Sequence, residues 1–301
     1  MQDKASLTSL IAAFGRAYHN ENTKNPIFRD TAARALMTGD EYHAIGGYIV
    51  SGIDFFAPDK KGSFRDDADA LRYLVNTQIA PTPLARAAWC EESLRIAIHT
   101  GVRQYVLLGA GMDTFAIREP EFCAVYPVFE VDHPKTQADK RERIARAGIS
   151  RADGVRYVPV DFTSDDLFDA LLSAGYDPQK KTFFSWLGVS MYLDRAAIEM
   201  LLDAIASHAA KGSSLVFDYA SAGLFLSKDR RVQNMIAMAQ AGGEEMRSSF
   251  DPMSLELLAC DHGFLVYEHL MTADIQSRYF GGRDDDLSAF PCICFAHAVV
   301  Q

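Results

Sequence analysis

The chain has no apolar run near the roughly 18 residues that a membrane-spanning helix needs, so no such helix is expected anywhere in its 301 residues. It is also poor in cysteine. Cys90, Cys123, Cys260, Cys292 and Cys294 form an odd, scattered set with no paired CxxC spacing, which excludes a zinc cluster or disulfide framework and reads as small buried residues in a reducing compartment. Met1 to Leu10 lacks the pattern of a signal peptide, and the cytoplasm is the expected location. Positive charge is in deficit, 30 Lys and Arg against 40 Asp and Glu for a formal net charge of −10, which excludes a nucleic-acid backbone as the main partner because such binding rests on phosphate neutralisation. The basic run from Lys140 to Arg146 reads as a solvated helix face. No internal repeat or low-complexity segment is visible.

What is present is an ordinary globular composition, 49% hydrophobic and 23% charged. The informative stretch is Arg103 to Pro134. Tyr105 to Leu108 is a continuous apolar run closed by Gly109-Ala110-Gly111, and Val125 to Val131 is a β-rich run closed by Asp132. Both read as buried parallel strands. A strand that runs into Gly-x-Gly brings bare backbone close to a ligand. Asp132 follows Gly111 at about the spacing expected between a nucleotide-binding turn and its ribose acid. A dinucleotide fingerprint would need a third glycine where Thr114 stands. Asp113 in the same turn would repel a pyrophosphate and favour an ammonium group. These two residues favour S-adenosylmethionine over NAD. The plainer alternative is a tight glycine turn with Asp113 capping the next helix.

Strand and helix alternate from residue 105 onward. Further strands are expected at Arg156 to Val160, Lys181 to Leu187, Ser214 to Tyr219, Phe264 to Leu270 and Ile293 to Val300. Helices are expected over Thr82 to His99, from Pro134 through Ala147, and over Arg195 to Ala209. This pattern predicts an α/β fold with an open, doubly wound sheet whose ligand lies beyond the carboxyl ends of the strands. Residues 1–80 show no such alternation and read as an N-terminal helical cap; residues 81–301 read as a Rossmann-like core with a helical insertion over 222–250, the whole forming one domain.

The blocks VLLGAGMDTFAIR, FEVDHP, PVDF and FFSWLGVSMYL, in that order, resemble the class I S-adenosylmethionine-dependent methyltransferases of the leucine carboxyl methyltransferase and polyketide O-methyltransferase family. The resemblance extends over nearly the whole chain, from TSLIAAFGRAYHNENTKNPIFRD to IQSRYFGGR. It implies a seven-stranded sheet with the last strand antiparallel. It also implies that Arg86 pairs with the methionine carboxylate and that Gly109, Ala110 and Gly111 pass against the methionine part. Asp113 would lie by its ammonium, Asp132 on the ribose hydroxyls, and Asp161 with Phe162 at the adenine. Leu187 stands where the leucine carboxyl enzymes carry glutamate, so the bacterial small-molecule branch is the nearer likeness.

The expected function is therefore O-methylation of a carboxylate or hydroxyl on a small, polyketide-like metabolite of secondary metabolism. No metal and no oligomeric state are read from the residues. A carboxylate acceptor needs no base, whereas a phenol would be helped by one, and no catalytic base is assigned among His19, His43 and His133. Ser190 and Tyr192 are expected on the acceptor side and Trp186 in the core. Two other function classes remain open: a nicotinamide oxidoreductase, and a protein that binds S-adenosylmethionine without turnover.

Overall fold

In the computed structural model, which describes residues 7–162 and 164–301, the apolar runs become β1 (Gln104–Leu108), β2 (Val128–Asp132), β3 (Val155–Pro159), β4 (Thr182–Trp186), β5 (Ser214–Ala220), β6 (Phe264–Leu270) and β7 (Ile293–Val300). They form a seven-stranded sheet in the order β3-β2-β1-β4-β5-β7-β6. Strands β1 to β5 pair in parallel, and β7 runs antiparallel to both β5 and β6. The expected last antiparallel strand is thus present. β1 and β4 are neighbours although two strands separate them in sequence. A crevice opens at their carboxyl ends, where the strand order reverses.

Side chains alternate across the sheet with the period of two that strands impose. Tyr105, Leu107, Val128, Phe183 and Phe295 belong to one apolar cluster, while Val106, Leu108, Phe129, Phe184 and Trp186 belong to another. The N-terminal helices Leu7–Asn22, Gly39–Ser51 and Asp67–Leu74 contribute to the first cluster through Phe14, Ile49 and Leu74. Helix starts follow the side-chain caps available in the sequence. Asp66, Asp166, Asp194, Asp229 and Asp251 each accept a hydrogen bond from the first turn that follows.

Several sequence expectations need correction. Val125 closes a helix, Pro120–Val125, and β2 begins only at Val128. Pro120 at the first helical position is preorganised for that turn, and the helix holds the apolar residues that otherwise look like strand. Within 222–250 the α-helix covers only Arg230–Ala241; Phe250 runs back beside Ser221 in an isolated parallel bridge. β5 does not stop at Tyr219, because pairing with β7 carries it to Ala220. Cys260 is exposed and Cys292 only half-buried, rather than buried like Cys90, Cys123 and Cys294.

The basic run is not a wholly solvated face either. Lys140, on the helix Pro134–Arg146, is 1% exposed, and its ammonium lies 2.7 Å from the buried Glu130 carboxylate. Glu130 is on the pleat opposite Phe129 and Val131, so its side chain enters the interior and demands a partner. Burial pushes its carboxyl up, against the pull of Lys140. Breaking such a pair from one side strands a buried charge. Lys140→Met is therefore expected to lower stability by about 3–5 kcal/mol in urea unfolding, and the double change with Glu130→Leu to recover much of it. Equal losses for the single and double variants would contradict this account of the pair.

Candidate functional site

At the carboxyl edge of β1, β2, β4 and β5 lies a cavity of about 510 Å³, within the range of small-molecule sites. Its floor is backbone. Gly109 and Gly111 have φ of +73° and +47°, and a Cβ on Gly109 would come within 2.7 Å of Val189 Cγ2. The first turn after β1 is thus kept bare by both its conformation and its neighbour. Arg86, Gly109, Ala110, Gly111, Asp113, Asp132, Asp161 and Phe162 all line this one cavity.

Their present partners are specific. Asp132 ends β2; its Oδ2 accepts from the Gly111 N–H and its Oδ1 from the His133 N–H at 2.7 Å. Burial pushes the Asp132 carboxyl up, partly offset by these two N–H donors. Asp113 Oδ1 accepts from the Phe115 N–H at 2.7 Å in a turn just ahead of the helix Phe115–Arg118, whose cap position is held by Thr114 without a side-chain bond, and Asp113 lines the cavity as well. Asp161 Oδ2 lies 3.8 Å from His133 Nε2, and Phe162, 46% exposed, presents its ring at the same rim. Arg86, on helix Pro81–His99, is not idle: its Nη1 donates to Asp218 Oδ2 at 2.9 Å.

The wall over the cavity comes from outside the α/β alternation. Thr8, Ile11 and Ala12 of the first helix face Met235, Met238 and Ala239 of helix Arg230–Ala241. The Thr8 hydroxyl donates to the Glu244 carboxylate, joining the two segments. Gln78 and Ile79 enter from a π-helical turn, Val75–Ile79. Tyr192 also lines the cavity, its phenol pushed up to about 12 by burial and then by Glu244, which keeps it a proton-bearing hydroxyl. Ser190 does not line it; its hydroxyl is buried and donates to the Asp218 carbonyl at 2.5 Å. Trp186 is buried as expected. His19 is fully buried, accepts from the Ile27 N–H at 2.9 Å and has its pKa lowered to about 4 by burial; His43 is exposed, and neither borders the cavity. No group of three or more metal-ligating side chains is found among the described residues.

Sequence reasoning overlooked Arg16, Gln78, Asp218 and Glu244. Arg16 Nη2 donates to the Met112 carbonyl at 2.7 Å and Nε to Asp30 Oδ2 at 2.8 Å, bracing the glycine turn from behind. Asp30 Oδ1 also accepts from the Thr114 hydroxyl at 2.7 Å. Thr114, where a dinucleotide fold would carry its third glycine, is thereby committed to the interior. Asp218 was visible as an acid near a strand end, the rule that identified Asp132. Arg16 had no signal beyond its place on the first helix, with Ala17 and Gly15 beside it.

A family model described as leucine carboxyl methyltransferase matches residues 9–206. A Bacillus subtilis (strain 168) protein, provisionally named S-adenosyl-L-methionine-dependent methyltransferase YktD, is 42% identical over 301 residues, covering 99% of each chain. A Mycolicibacterium smegmatis protein with the same provisional activity is 32% identical over 187 residues, 62% of this chain and 56% of its own. Among solved structures, a protein of Thermobifida fusca provisionally called a methyltransferase superposes with a TM-score of 0.57 at 17% identity, covering 99% of this chain and 95% of that one. A DUF574 family protein of Streptomyces avermitilis gives 0.53 at 16% identity, covering 85% and 95%. These two likenesses bear on the fold alone.

The buried Asp30 gives a pH test. Burial raises its pKa, but the Arg16 charge and hydrogen bond, with Arg118 and Thr114, outweigh it and hold the carboxyl below its ordinary value. A depressed carboxylate contributes stability that is present above its unfolded pKa of about 3.9 and lost as pH falls through the lower folded value. The melting temperature of Asp30→Asn is expected to lie below wild type at neutral pH, with the gap narrowing below about pH 4. A gap that stays constant down to acid unfolding would refute the assignment.

Proposed function

Since the chain belongs to the leucine carboxyl methyltransferase family and is an S-adenosylmethionine-dependent methyltransferase, we propose that it transfers the methyl group to an oxygen of a small-molecule acceptor held beneath its N-terminal helices and the 222–250 segment. The observation that carries this reading is the convergence of all eight sequence-predicted residues on one cavity of about 510 Å³. S-adenosylmethionine supplies an electrophilic methyl on a sulfonium, and its transfer is an in-line displacement governed by alignment. The residues supply that alignment.

The glycine turn admits the methionine part against Gly109, Ala110 and Gly111, where a side chain would collide with Val189 or Ser9. Arg86 still has its second guanidinium nitrogen, Nη2, for the methionine carboxylate while Nη1 stays on Asp218. Asp113 places negative charge beside the ammonium. Asp132 sits at the end of the strand next to β1, where a ribose diol would meet its carboxylate. Asp161 and Phe162 would border the adenine edge and face. The carboxylates also suit the positive charge of the sulfonium ligand better than they suit a dinucleotide phosphate.

On the acceptor side the wall is adaptable and apolar, with Met235 and Met238 opposite Ile11. Tyr192 offers its phenol O–H there as a hydrogen-bond donor. An oxygen acceptor could accept that hydrogen bond and remain oriented. The two flanking segments would also keep water from the methyl as the acceptor binds.

Asp132→Ala is expected to weaken S-adenosylhomocysteine binding by about 1.5–3 kcal/mol in calorimetry, the range for hydrogen bonds to charged groups. Wild-type affinity in a folded variant would remove Asp132 from the ribose. For the acceptor, the protein would be incubated with methyl-labelled S-adenosylmethionine and small-molecule extract of its own cells, and the product identified by mass spectrometry. Label on oxygen of a small molecule supports the proposal, with base lability marking an ester. Label confined to protein, nucleic acid or nitrogen rules it out.

A further inference from the structure

Asp218 is 0% exposed and sits within β5, at the carboxyl-end crevice. A buried carboxylate needs partners for both oxygens, and it has them from two different elements. Oδ2 accepts from Arg86 Nη1 at 2.9 Å; Oδ1 accepts from the Gly188 N–H on the turn after β4. Gly188 has φ +73°, and a Cβ there would stand 2.5, 2.7 and 2.8 Å from Arg86 Nη1, Nη2 and Cζ. The two terminal nitrogens are nearer than Cζ, so the bare backbone of Gly188 lies close against the Nη end of the guanidinium, whose Nη1 is held by Asp218. The same turn is tied down further along: the Ser190 hydroxyl donates to the Asp218 carbonyl, and the Ser248 hydroxyl donates to the Ser190 carbonyl at 3.0 Å.

We propose that Asp218 is a positioning residue which, with the bare backbone of Gly188, fixes the plane and rotation of the Arg86 guanidinium so that its remaining N–H groups meet the amino-acid carboxylate of the methyl donor. The proposal deepens the reading of Arg86 given above and rests on it. A guanidinium recognises a carboxylate through a planar fork, so affinity depends on orientation as well as charge. Arginine loses several rotatable bonds when it is immobilised, and a carboxylate that pays this cost beforehand leaves less to be lost when ligand binds. Asp218 also joins that recognition to the turn carrying Tyr192, because the carboxylate and its own carbonyl hold Gly188 and Ser190 on either side of Val189. The methionine end of the donor and the acceptor wall thereby share one rigid support.

The test compares two ligands that differ in the amino-acid end, whose carboxylate Arg86 would hold. S-adenosylhomocysteine carries the amino-acid carboxylate; methylthioadenosine keeps the nucleoside and thioether and lacks it. Dissociation constants for both would be measured on Asp218→Asn, Gly188→Ala and Arg86→Ala, with a melting curve for each. Asp218→Asn keeps an oxygen for the Gly188 N–H but removes the charge, and Gly188→Ala puts a methyl where the guanidinium lies. Both are expected to lose S-adenosylhomocysteine affinity on the order of 10-fold or more, while methylthioadenosine binds as to wild type. Should Asp218→Asn fail to fold, the Gly188→Ala pair of constants decides on the same criterion. Selective loss in Arg86→Ala with none in the other two overturns the positioning role and leaves the reading of Arg86 standing. No selective loss in Arg86→Ala overturns that reading and the positioning role with it. Equal losses of both ligands in Asp218→Asn and Gly188→Ala show a general structural effect and overturn the proposal.

Discussion

The carboxylate of Asp30 is the contact on which the arrangement of the cavity depends. It accepts from Arg16 Nε, from the Ala32 and Ala33 N–H groups and from the Thr114 hydroxyl, and Arg118 lies beside it. Its donors come from the first helix, from its own loop and from the end of the glycine turn. One buried anion therefore fastens the N-terminal helices to the segment whose backbone forms the cavity floor. An apolar contact of equal area would bury surface as well, but it would not specify where along the groove the helix must stop. Directional hydrogen bonds to a charge provide that register.

The same economy recurs at the other acids of the crevice. Asp132 holds Gly111 and His133, Asp113 holds Phe115, and Asp218 holds Gly188. Beyond the ends of parallel strands the backbone N–H groups lose their ladder partners, and buried donors without partners are costly. Carboxylates at these positions satisfy those donors in the protein itself. They also leave the rim rich in negative charge, which matches a cationic sulfonium donor. On the proposed reading of the site, structural support and ligand preference arise from the same atoms. Arg118 pairs with both Glu91 and Asp30.

Much of this was legible from residue order. The parallel strands followed from apolar runs closed by polar turns, because a strand buried on both faces cannot hide its composition, whereas the antiparallel course of β7 was implied by the family resemblance alone. The glycine turn and Asp132 were legible because bare backbone and a following acid are demands of local chemistry. What escaped reading depends on distant partners. Lys140 looks like one charge among several on a solvated helix until the pleat of β2 turns Glu130 toward it. Arg16 and Asp218 are single residues in apolar settings, and their meaning lies in Met112 and Arg86, 96 and 132 positions away. Val125 misled for the opposite reason: its β-rich neighbours conceal a helix that Pro120 starts.

The π-helical turn Val75–Ile79 presents Gln78 and Ile79 to the cavity and is followed directly by the helix that carries Arg86. A π-turn accommodates one residue more than the α-helical turn it replaces. Such a turn absorbs a change in chain length locally: removing a single residue would let it relax to an α-turn while the helices on either side keep their register. Only side chains within the turn, Gln78 among them, would change direction. The wall of the cavity can therefore be altered by loss or gain of one residue, without any substitution in the eight residues that the sequence assigns to the methyl donor.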